Sequence, residues 1–330
     1  MISSLLNGYS KKKKYSTILS DIKDNTMKGD KMSNIVLECN HLRKKVGRHV
    51  IVNDVSLKLH QGDILGFIGP NGSGKTTTIK LLLGLQFFNG GNVIINGYDL
   101  KENFVAAISN VGAIIENPDL YMYLSGYDNL KISAQLHHVP KERILEVAKI
   151  VGLESKLKDK VKKYSLGMRQ RLGIAQAILH QPKILILDEP MNGLDPEGIK
   201  ELKNLLKRLA QKENMAILIS SHLLSELENF CNRVCILLNG KVVKDGKIEE
   251  IKRITEQVNY ILEVSRVDLG QMLYHFEVID ANHIKINTTK DKITNIIKTL
   301  LLNDVAIYEV KKEVISLEES FFKITGNNKQ

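Results

Sequence analysis

An eight-residue stretch, residues 69–76, constrains this chain more than any other feature. It reads, in order, Gly69, Pro70, Asn71, Gly72, Ser73, Gly74, Lys75 and Thr76. The spacing fits the phosphate-loop pattern G-x-x-x-x-G-K-[ST] at every fixed position. Glycines reach positive φ without a Cβ clash, so backbone N–H groups can turn inward around phosphate oxygens. The lysine would bring a positive charge to the β- and γ-phosphates, and the threonine hydroxyl would be a ligand for Mg²⁺.

Residues on both sides of this loop predict the strand and the helix that such a loop requires. Residues 64–68, Ile-Leu-Gly-Phe-Ile, form a short apolar run typical of a buried strand. Residues 77–83 favour a helix whose positive N-terminal end faces the phosphates, with Thr77 among the phosphate contacts. A chance glycine-rich turn is the alternative, and it does not account for this context. The chain is therefore predicted to bind a nucleoside triphosphate, foremost ATP.

A second apolar run lies at residues 184–187 and ends in two carboxylates, Asp188 and Glu189. A continuous run of this kind predicts a strand buried on both faces, as in a parallel sheet. At the end of such a strand, beside the loop, Asp188 would help to hold Mg²⁺ through water. Glu189 would polarise the attacking water as a general base. Two ordinary surface carboxylates are the alternative, which the buried run argues against.

Most of the remaining chain divides into two regions. Between residues 32 and 250, strand and helix patterns alternate, which predicts an α/β core around a parallel sheet. Within it, an Asn-Gly turn at residues 96–97 indicates antiparallel strands, and residues 125–163 show helical periodicity. Residues 251–330 predict a small α+β appendage. Its predicted elements are strands at 260–264, 283–287 and 306–310 and helices at 267–275 and 291–302.

Residues 1–31 differ from the rest because they are basic and carry little periodic apolar pattern. One interpretation is a disordered extension, in which the lysine run at residues 11–14 touches anionic lipid. The other is that translation begins at Met32, because the codons of residues 28–31 can encode a GGAG ribosome-binding sequence. Both stay open, and the intact mass of protein made from the native gene distinguishes them.

Composition limits the compartment and the partners. No apolar run approaches the roughly 18–20 residues that span a bilayer as a helix. The three cysteines form neither a disulfide framework nor a metal spacing, which favours the cytoplasm. The net charge of +10 could reflect nucleic-acid binding. However, the lysines are scattered and no aromatic residues lie between them as stacking platforms, so we expect no nucleic-acid partner.

Together, these motifs resemble the ATP-binding cassette (ABC) ATPases over about residues 35–245. Residues 164–168, Tyr-Ser-Leu-Gly-Met, are similar to the family signature, usually LSGGQ, with Ser165 as the N-cap of a helix. Residues 192–195, Asn-Gly-Leu-Asp, match the D-loop, and His222 matches the switch histidine that reaches the γ-phosphate in the family. The resemblance implies an α/β fold, a P-loop NTPase (RecA-like) core with an antiparallel β subdomain and an α-helical subdomain.

In the family, two cassettes face each other head to tail, and each ATP lies between one copy's phosphate loop and the other copy's signature. The resemblance therefore implies a homodimer. The residues that would reach the partner copy's ATP are Ser165, Gly167, Met168 and Asp195. Catalytic roles are implied for Glu189 and His222. The implied Mg²⁺ ligands are Thr76, Glu116 and Asp188.

Five positions depart from the family pattern: Tyr164, Leu166 and Met168 within the signature, and Glu116 and Val46 elsewhere. Glu116 stands where the family usually has Gln, and a carboxylate is a harder and stronger Mg²⁺ ligand than an amide. Leu166 replaces a Gly of the signature and puts a side chain close to the partner's ATP, which could slow closure of the dimer. Val46 stands near the place of the aromatic residue that stacks on adenine, so weaker base recognition is expected unless His41 compensates.

Two further segments indicate a subclass. Residues 316–323 resemble the C-terminal segment of ABC-2-type exporters, and residues 115–118 resemble the lantibiotic-immunity and bacitracin-export ATPases. The resemblance implies the cytoplasmic ATPase subunit of a peptide-antibiotic exporter, at the inner face of the membrane. Its implied partners are separately encoded transmembrane permease subunits, which would contact residues 116–135. A soluble ABC ATPase acting on ribosomes or nucleic acid and an importer ATPase are the alternatives.

Overall fold

A computed structural model describes residues 35–222, 227, 230–253, 258–268 and 275–313 of the chain. The predictions for residues 1–31, for residues 316–323 and for most of the helix at 267–275 lie outside these described residues. Within the described part, the strands form three sheets, of which the six-stranded one positions the phosphate loop.

The six-stranded sheet brings the two predicted motifs together. Its strands span Ile64–Ile68 (β3), Val111–Ile114 (β6), Ile184–Leu187 (β7), Ala216–Ser221 (β8), Arg233–Leu238 (β9) and Lys241–Lys247 (β10). Their order is β10-β9-β3-β8-β7-β6, with β10 antiparallel to β9 and the other pairs parallel. Every residue of β3, β7 and β8 is buried, as their apolar sequences predict for central parallel strands. The carboxyl ends of these three strands therefore meet at one edge of the sheet.

A second sheet of four antiparallel strands confirms the expected β subdomain. It contains Ile35–Val46 (β1), His49–His60 (β2), Gly90–Ile95 (β4) and Tyr98–Asp99 (β5), in the order β2-β1-β4-β5. Asn96 and Gly97 join β4 to β5 with φ values of 48° and 85°. Two consecutive positive φ values are what a tight hairpin turn needs, and the Asn-Gly pair supplies them at low cost.

Helices pack on both sides of the central sheet. They span Lys75–Leu82 (α1), Phe104–Ile108 (α2), Gly126–Leu136 (α3), Glu142–Ile150 (α4), Leu166–Ala177 (α5), Pro196–Lys212 (α6) and Ile248–Arg253 (α7), with 3-10 turns at Glu154–Lys156 and Val161–Lys163. Helices α1 and α2 share the apolar cluster of the antiparallel sheet, whereas α3 to α5, with α6, share the other cluster and include the expected helical subdomain. Ser125, Ser165 and Asp195 cap α3, α5 and α6, each accepting a backbone hydrogen bond from three residues on. The predicted cap at Ser165 is therefore confirmed.

Two apolar clusters fix the position of β3, the strand that leads into the phosphate loop. Ile64 and Ile68 belong to the cluster shared with the helices, whereas Leu65 and Phe67 belong to the cluster shared with the antiparallel sheet. All four side chains are at most 7% exposed. Because side chains alternate between the two faces of a strand, burial on both faces fixes the register of β3 and hence the place where Gly69 begins the loop.

The C-terminal part forms a third sheet with an apolar cluster of its own. It contains Val258–Val264 (β11), Phe276–Val278 (β12), His283–Thr288 (β13) and Ile307–Lys312 (β14), with the helix Lys290–Leu302 (α8). The strand order is β12-β13-β11-β14, and all pairs are antiparallel. The predicted α+β appendage is confirmed, except that β12 was not predicted, because three residues are too short to show alternation. The domain boundary at residues 250–251 stays a prediction.

Candidate active site

The glycines of the phosphate loop are needed for close approach and for backbone conformation. A Cβ at Gly69 would lie 2.3 Å from the carbonyl oxygen of Leu237, which leaves no room for a side chain. Gly72 and Gly74 have φ values of +79° and +102°, which L-residues with side chains rarely adopt. The loop therefore folds tightly around the N-terminus of α1, where backbone N–H groups and the helix dipole favour an anion.

Lys75 lies at the centre of this loop and is 6% exposed. Its ammonium group donates to the carbonyl oxygens of Gly69 at 2.7 Å and Pro70 at 3.3 Å. It also lies 3.3 Å from Oε1 of Glu189, which follows β7. The structure thus brings the two sequence-predicted motifs, more than one hundred positions apart, into direct contact.

The two carboxylates after β7 are held by a serine that the sequence analysis missed. Ser220, buried near the end of β8, donates its hydroxyl to Oδ1 of Asp188 at 2.5 Å. The same hydroxyl oxygen accepts the backbone N–H of Glu189 at 2.8 Å. Glu189 has a φ of 49°, so its backbone turns sharply away from the strand. Ser220 therefore fixes Asp188, which is 2% exposed, and the turn that presents Glu189.

His222 completes the group at the end of β8. Its Nδ1 lies 2.8 Å from Oε2 of Glu189, and a carboxylate accepts hydrogen bonds, so Nδ1 carries the proton. Both oxygens of Glu189 therefore have partners, Lys75 on one side and His222 on the other. The side chains of Glu189 and His222 are 18% and 34% exposed, so the group is reachable from solvent.

Two neighbouring cavities lie against these residues. One of about 440 Å³ is lined by the loop, by Ile51 and by Glu189, Asn192 and His222. At the loop, Ser73 is 3% exposed, and among the described residues its buried hydroxyl has no hydrogen-bond partner. An unpartnered buried hydroxyl is costly unless a ligand supplies the partner, so it fits a phosphate-binding loop. Val46, 57% exposed, is not among the residues that line this cavity.

The second cavity, of about 210 Å³, holds the predicted metal ligands. Thr76, Glu116 and Asp188 all line it. Among the described residues, no group of three His, Cys, Asp or Glu side chains could hold a metal by itself. One hydroxyl and two carboxylates do suit Mg²⁺, which usually takes one or two carboxylates and completes its shell with water and phosphate oxygens. The residues present therefore fit Mg²⁺ bound together with a nucleotide.

The predicted signature residues lie at the N-terminus of α5. The Ser165 hydroxyl accepts the backbone N–H of Met168 at 3.2 Å, and the Met168 side chain packs, partly buried, against the core. Gly167 is half-buried, and a Cβ there would be in ordinary van der Waals contact with Gly198 at 3.8 Å, so a side chain at this position is tolerated. Leu166 is 41% exposed and reaches to 3.2 Å from where a Cβ of Gly193 would lie. The leucine that replaces the family's glycine therefore packs against Gly193 in the D-loop of its own chain.

Two further predicted residues have structural partners within the chain. Tyr164, where the family usually has Leu, is buried and donates its hydroxyl to the carbonyl oxygen of Lys156 at 2.6 Å. Burial raises the pKa of this hydroxyl, which keeps its proton for that bond. Asp195, predicted to reach the partner's ATP, uses Oδ1 to accept the Gly198 N–H at 3.1 Å. Its cap role does not test the predicted contact across a dimer.

Comparison with known proteins identifies the relatives of the chain. The family model described as ABC transporter matches residues 52–192. An uncharacterized ABC transporter ATP-binding protein of Bacillus subtilis (strain 168), YhcH, is 43% identical over 298 residues, which is 89% of this chain and 97% of that protein. The bacitracin transport ATP-binding protein BcrA of Bacillus licheniformis is 37% identical over 298 residues, 88% and 97% of the two chains.

A shorter relative and a solved structure agree with these matches. The lantibiotic transport ATP-binding protein SrtF of Streptococcus pyogenes is 39% identical over 224 residues, which is 68% of this chain and 96% of that protein. A solved ATP-binding subunit of an ABC transporter is 31% identical with a TM-score of 0.60 and covers 66% of this chain and 92% of its own. The fold of the chain thus agrees with that of a solved ATP-binding subunit of an ABC transporter.

Proposed function

The chain belongs to the ATP-binding proteins of ABC transporters, a family that hydrolyses ATP, and on that premise we propose that it powers the export of a peptide antibiotic. The observation that supports this most is the extent of the match to the bacitracin transport protein. The alignment covers 298 residues, whereas only 253 residues precede the end of α7. The match must therefore include part of the C-terminal sheet. The lantibiotic relative aligns over only 224 residues. A bacitracin-type substrate is therefore favoured over a lantibiotic.

The chain's own residues account for the hydrolytic step. Lys75 leaves the loop carbonyls and Glu189 for the β- and γ-phosphates of ATP, because phosphate oxygens carry more negative charge than a carbonyl. This frees one oxygen of Glu189, which accepts the proton of the attacking water. His222, already within 2.8 Å of Glu189, orients that carboxylate and lines the same cavity as the phosphate loop. Thr76, Glu116 and Asp188 would hold Mg²⁺, which neutralises charge on the phosphates.

A second copy of the chain completes the site. Ser165 and Gly167 lie at a helix N-terminus, whose backbone N–H groups and dipole favour phosphate. Ser165 and Leu166 are exposed and Gly167 is half-buried, so a second molecule can approach this helix end. We therefore place the serine and the glycine, with Met168 and Asp195, against the ATP of a second copy in a head-to-tail homodimer.

A groove beside the helical subdomain supports the contact with a membrane permease. It measures about 550 Å³ and is lined by apolar residues of three regions, among them Leu85, Phe104 and Ile115. His180 also lines it, stacked on the ring of His137 at 4.5 Å between centroids. Burial and the neighbouring His137 lower the pKa of His180, which favours the neutral form of that imidazole. An apolar segment of a separately encoded permease fits such a groove.

Attachment to the inner face of the membrane follows from that contact. No helix in the described part of the chain has the length and apolar character needed to span a bilayer. Leu85 is 61% exposed and Phe104 46%, which is costly in water unless a partner covers them. The permease is thus the proposed anchor.

Purification from membranes of the native host tests the proposal. The tagged full chain is expected to bring down one or two polytopic membrane proteins, and Leu85→Glu is expected to lose them. Lys149→Glu, on the exposed surface of α4, is the matched control and should keep them. Recovery with ribosomes or nucleic acid and no membrane protein would contradict the transporter role.

Antibiotic susceptibility tests the substrate. Cells that express the chain with its co-purified permease are expected to resist bacitracin, and cells with the Glu189→Gln chain are expected to be as sensitive as cells without it. Protection against a lantibiotic but not bacitracin would overturn the preferred substrate and keep the exporter. Protection that persists with Glu189→Gln would contradict ATP-driven export.

A further inference from the structure

Gln170 is a buried polar residue whose role the site described above leaves open. It lies on α5, one turn after the signature, and is 5% exposed. Among the described residues, its amide nitrogen has no hydrogen-bond partner. An amide N–H that is buried without an acceptor costs free energy. An acceptor that reaches Gln170 in another state of the molecule would remove this cost. Gln170 lines the 210 Å³ cavity together with the predicted metal ligands.

The packing of α5 places Gln170 close to the segment that carries Glu116. Gly173, three residues after Gln170 on the same helix, lies so near Pro118 that a Cβ there would be 2.5 Å from the Cβ of Pro118. Residues three apart on a helix share one face. Gly173 therefore faces Pro118, and Gln170, on the same face of the helix, lines one cavity together with Glu116 and Asn117.

Of the carboxylates that line this cavity, Glu116 is the one free to move towards Gln170. Both oxygens of Glu189 are engaged by Lys75 and His222 without nucleotide, and the oxygen that ATP frees is the one assigned to the attacking water. Asp188 is 2% exposed and is held by Ser220. Because Asp188 and the buried Gln170 are both fixed in place, a hydrogen bond between them would already be formed if they were within reach. The side chain of Glu116 is 69% exposed.

The present partner of Glu116 holds it loosely. Its Oε1 lies 3.6 Å from the ammonium of Lys80, on α1, and this is beyond hydrogen-bonding distance. The Lys80 side chain is 32% exposed, and exposed ion pairs of this kind contribute little. A hydrogen bond from a buried amide, in contrast, would satisfy a group that is otherwise unpaired.

We propose that Gln170 is a positioning residue for Glu116: its amide N–H donates to the Glu116 carboxylate when that carboxylate leaves Lys80 and turns to the metal-binding cavity. The signature helix of each copy is then tied to its own metal site as well as to the partner's ATP. This inference rests on the proposed metal role of Glu116. It also explains how a carboxylate is accommodated where the family usually has Gln, because Lys80 and Gln170 supply a partner in each of the two positions.

The test measures how much Mg²⁺ strengthens nucleotide binding, which does not depend on turnover. The affinity of the full chain for a slowly hydrolysed fluorescent ATP analogue is determined with Mg²⁺ and with EDTA, and the ratio is the Mg²⁺ gain. Gln170→Leu is expected to lower this gain about tenfold, because a hydrogen bond to a charged group is lost. In a Glu116→Ala background, Gln170→Leu should change the gain less than about twofold, because coupled residues are not additive.

Lys80→Met provides a second variant, at a half-buried position where the long methionine side chain keeps most of the packing of the lysine stem. It should raise the Mg²⁺ gain severalfold with Glu116 present and leave it unchanged with Glu116→Ala. An equal loss from Gln170→Leu in both backgrounds, or no loss in either, would overturn the proposal, as would a lowered gain in Lys80→Met. If Glu116→Ala alone leaves the Mg²⁺ gain unchanged, the proposed metal role of Glu116 is wrong. If Glu116→Ala lowers the gain but Gln170→Leu does not, only the positioning role of Gln170 is wrong.

Discussion

The two halves of the candidate site differ in how far one chain completes them. In the phosphate-loop half, Lys75, Asp188, Glu189, Ser220 and His222 are linked to one another by contacts of 3.3 Å or less. In the signature half, Ser165 accepts hydrogen bonds from the first turn of its own helix, and Ser165 and Leu166 are exposed. Each half was predicted from a motif in the sequence. The side chains of the phosphate-loop half are already arranged in the single chain, whereas the signature half presents its residues outward.

This difference indicates which half of the site serves nucleotide binding and hydrolysis and which half serves assembly. A single chain has the groups to bind the phosphates and to hold a general base, but both are paired with each other until ATP arrives. In the proposed homodimer, the outward half adds backbone donors to the ATP of a second copy. We therefore expect changes in the first half to abolish binding or chemistry, and changes in the second to alter assembly.

The largest effect is expected from Glu189→Gln, which keeps the shape of the side chain and removes the base. ATP hydrolysis should fall by about 100- to 10,000-fold, the usual contribution of a general base, while ATP affinity stays within a few-fold. Phosphate release and equilibrium binding measure the two quantities. Glu213→Gln, on the exposed end of α6, is the control. Substantial turnover in Glu189→Gln would remove this residue from its assigned role.

Lys75→Ala is expected to act on binding instead of on chemistry alone. Nucleotide affinity should fall by about 100-fold, because each lost hydrogen bond to a charged group is worth about 1.5–3 kcal/mol. Isothermal titration with ATP measures it, and Lys149→Ala should bind as the unchanged chain does. Equal affinity in Lys75→Ala would contradict the phosphate-loop assignment.

Ser220→Ala tests whether the phosphate-loop half is held in place by the buried hydroxyl. Asp188 and the Glu189 N–H both lose their partner, so unfolding should require about 1–3 kcal/mol less free energy. Chemical denaturation and ATPase assays would show a loss of stability together with a loss of activity. Ser109→Ala, at an exposed helix end, should change neither. An unaltered Ser220→Ala protein would mean that the carboxylates need no such support.

The smallest effect is expected from Leu166→Gly, which returns the family's glycine to the signature. Removing the side chain that covers Gly193 should speed ATP-driven association severalfold. The loss in helix stability is at most about 1 kcal/mol. Stopped-flow light scattering in the Glu189→Gln background measures the rate. Slower association would show that Leu166 supports the dimer.

The sequence predicted those features that depend on neighbouring residues. The strand, loop and helix around Gly69, the Asn-Gly turn and the Ser165 cap each follow from a few adjacent residues, and the structure confirms them. The overall α/β architecture with its antiparallel and helical parts was predicted through the family resemblance.

What the sequence could not predict depends on contacts between distant segments. Ser220 bonds to Asp188 across 32 positions, and a serine at a strand end has no pattern of its own that marks it. Gln170 stands out only because its burial and missing partner become visible in three dimensions. The Lys80–Glu116 pair is likewise a matter of packing between α1 and the segment after β6.

Sedimentation of the Glu189→Gln chain tests most directly the claim that a second copy completes the site. With Mg²⁺ and ATP this variant should sediment as a dimer with two bound nucleotides, and without ATP as a monomer. Adding Gly167→Glu, which the single chain accommodates because nothing lies within 3.8 Å of its Cβ, should keep ATP binding and abolish the dimer. A Glu189→Gln chain that binds ATP and remains a monomer would contradict the account.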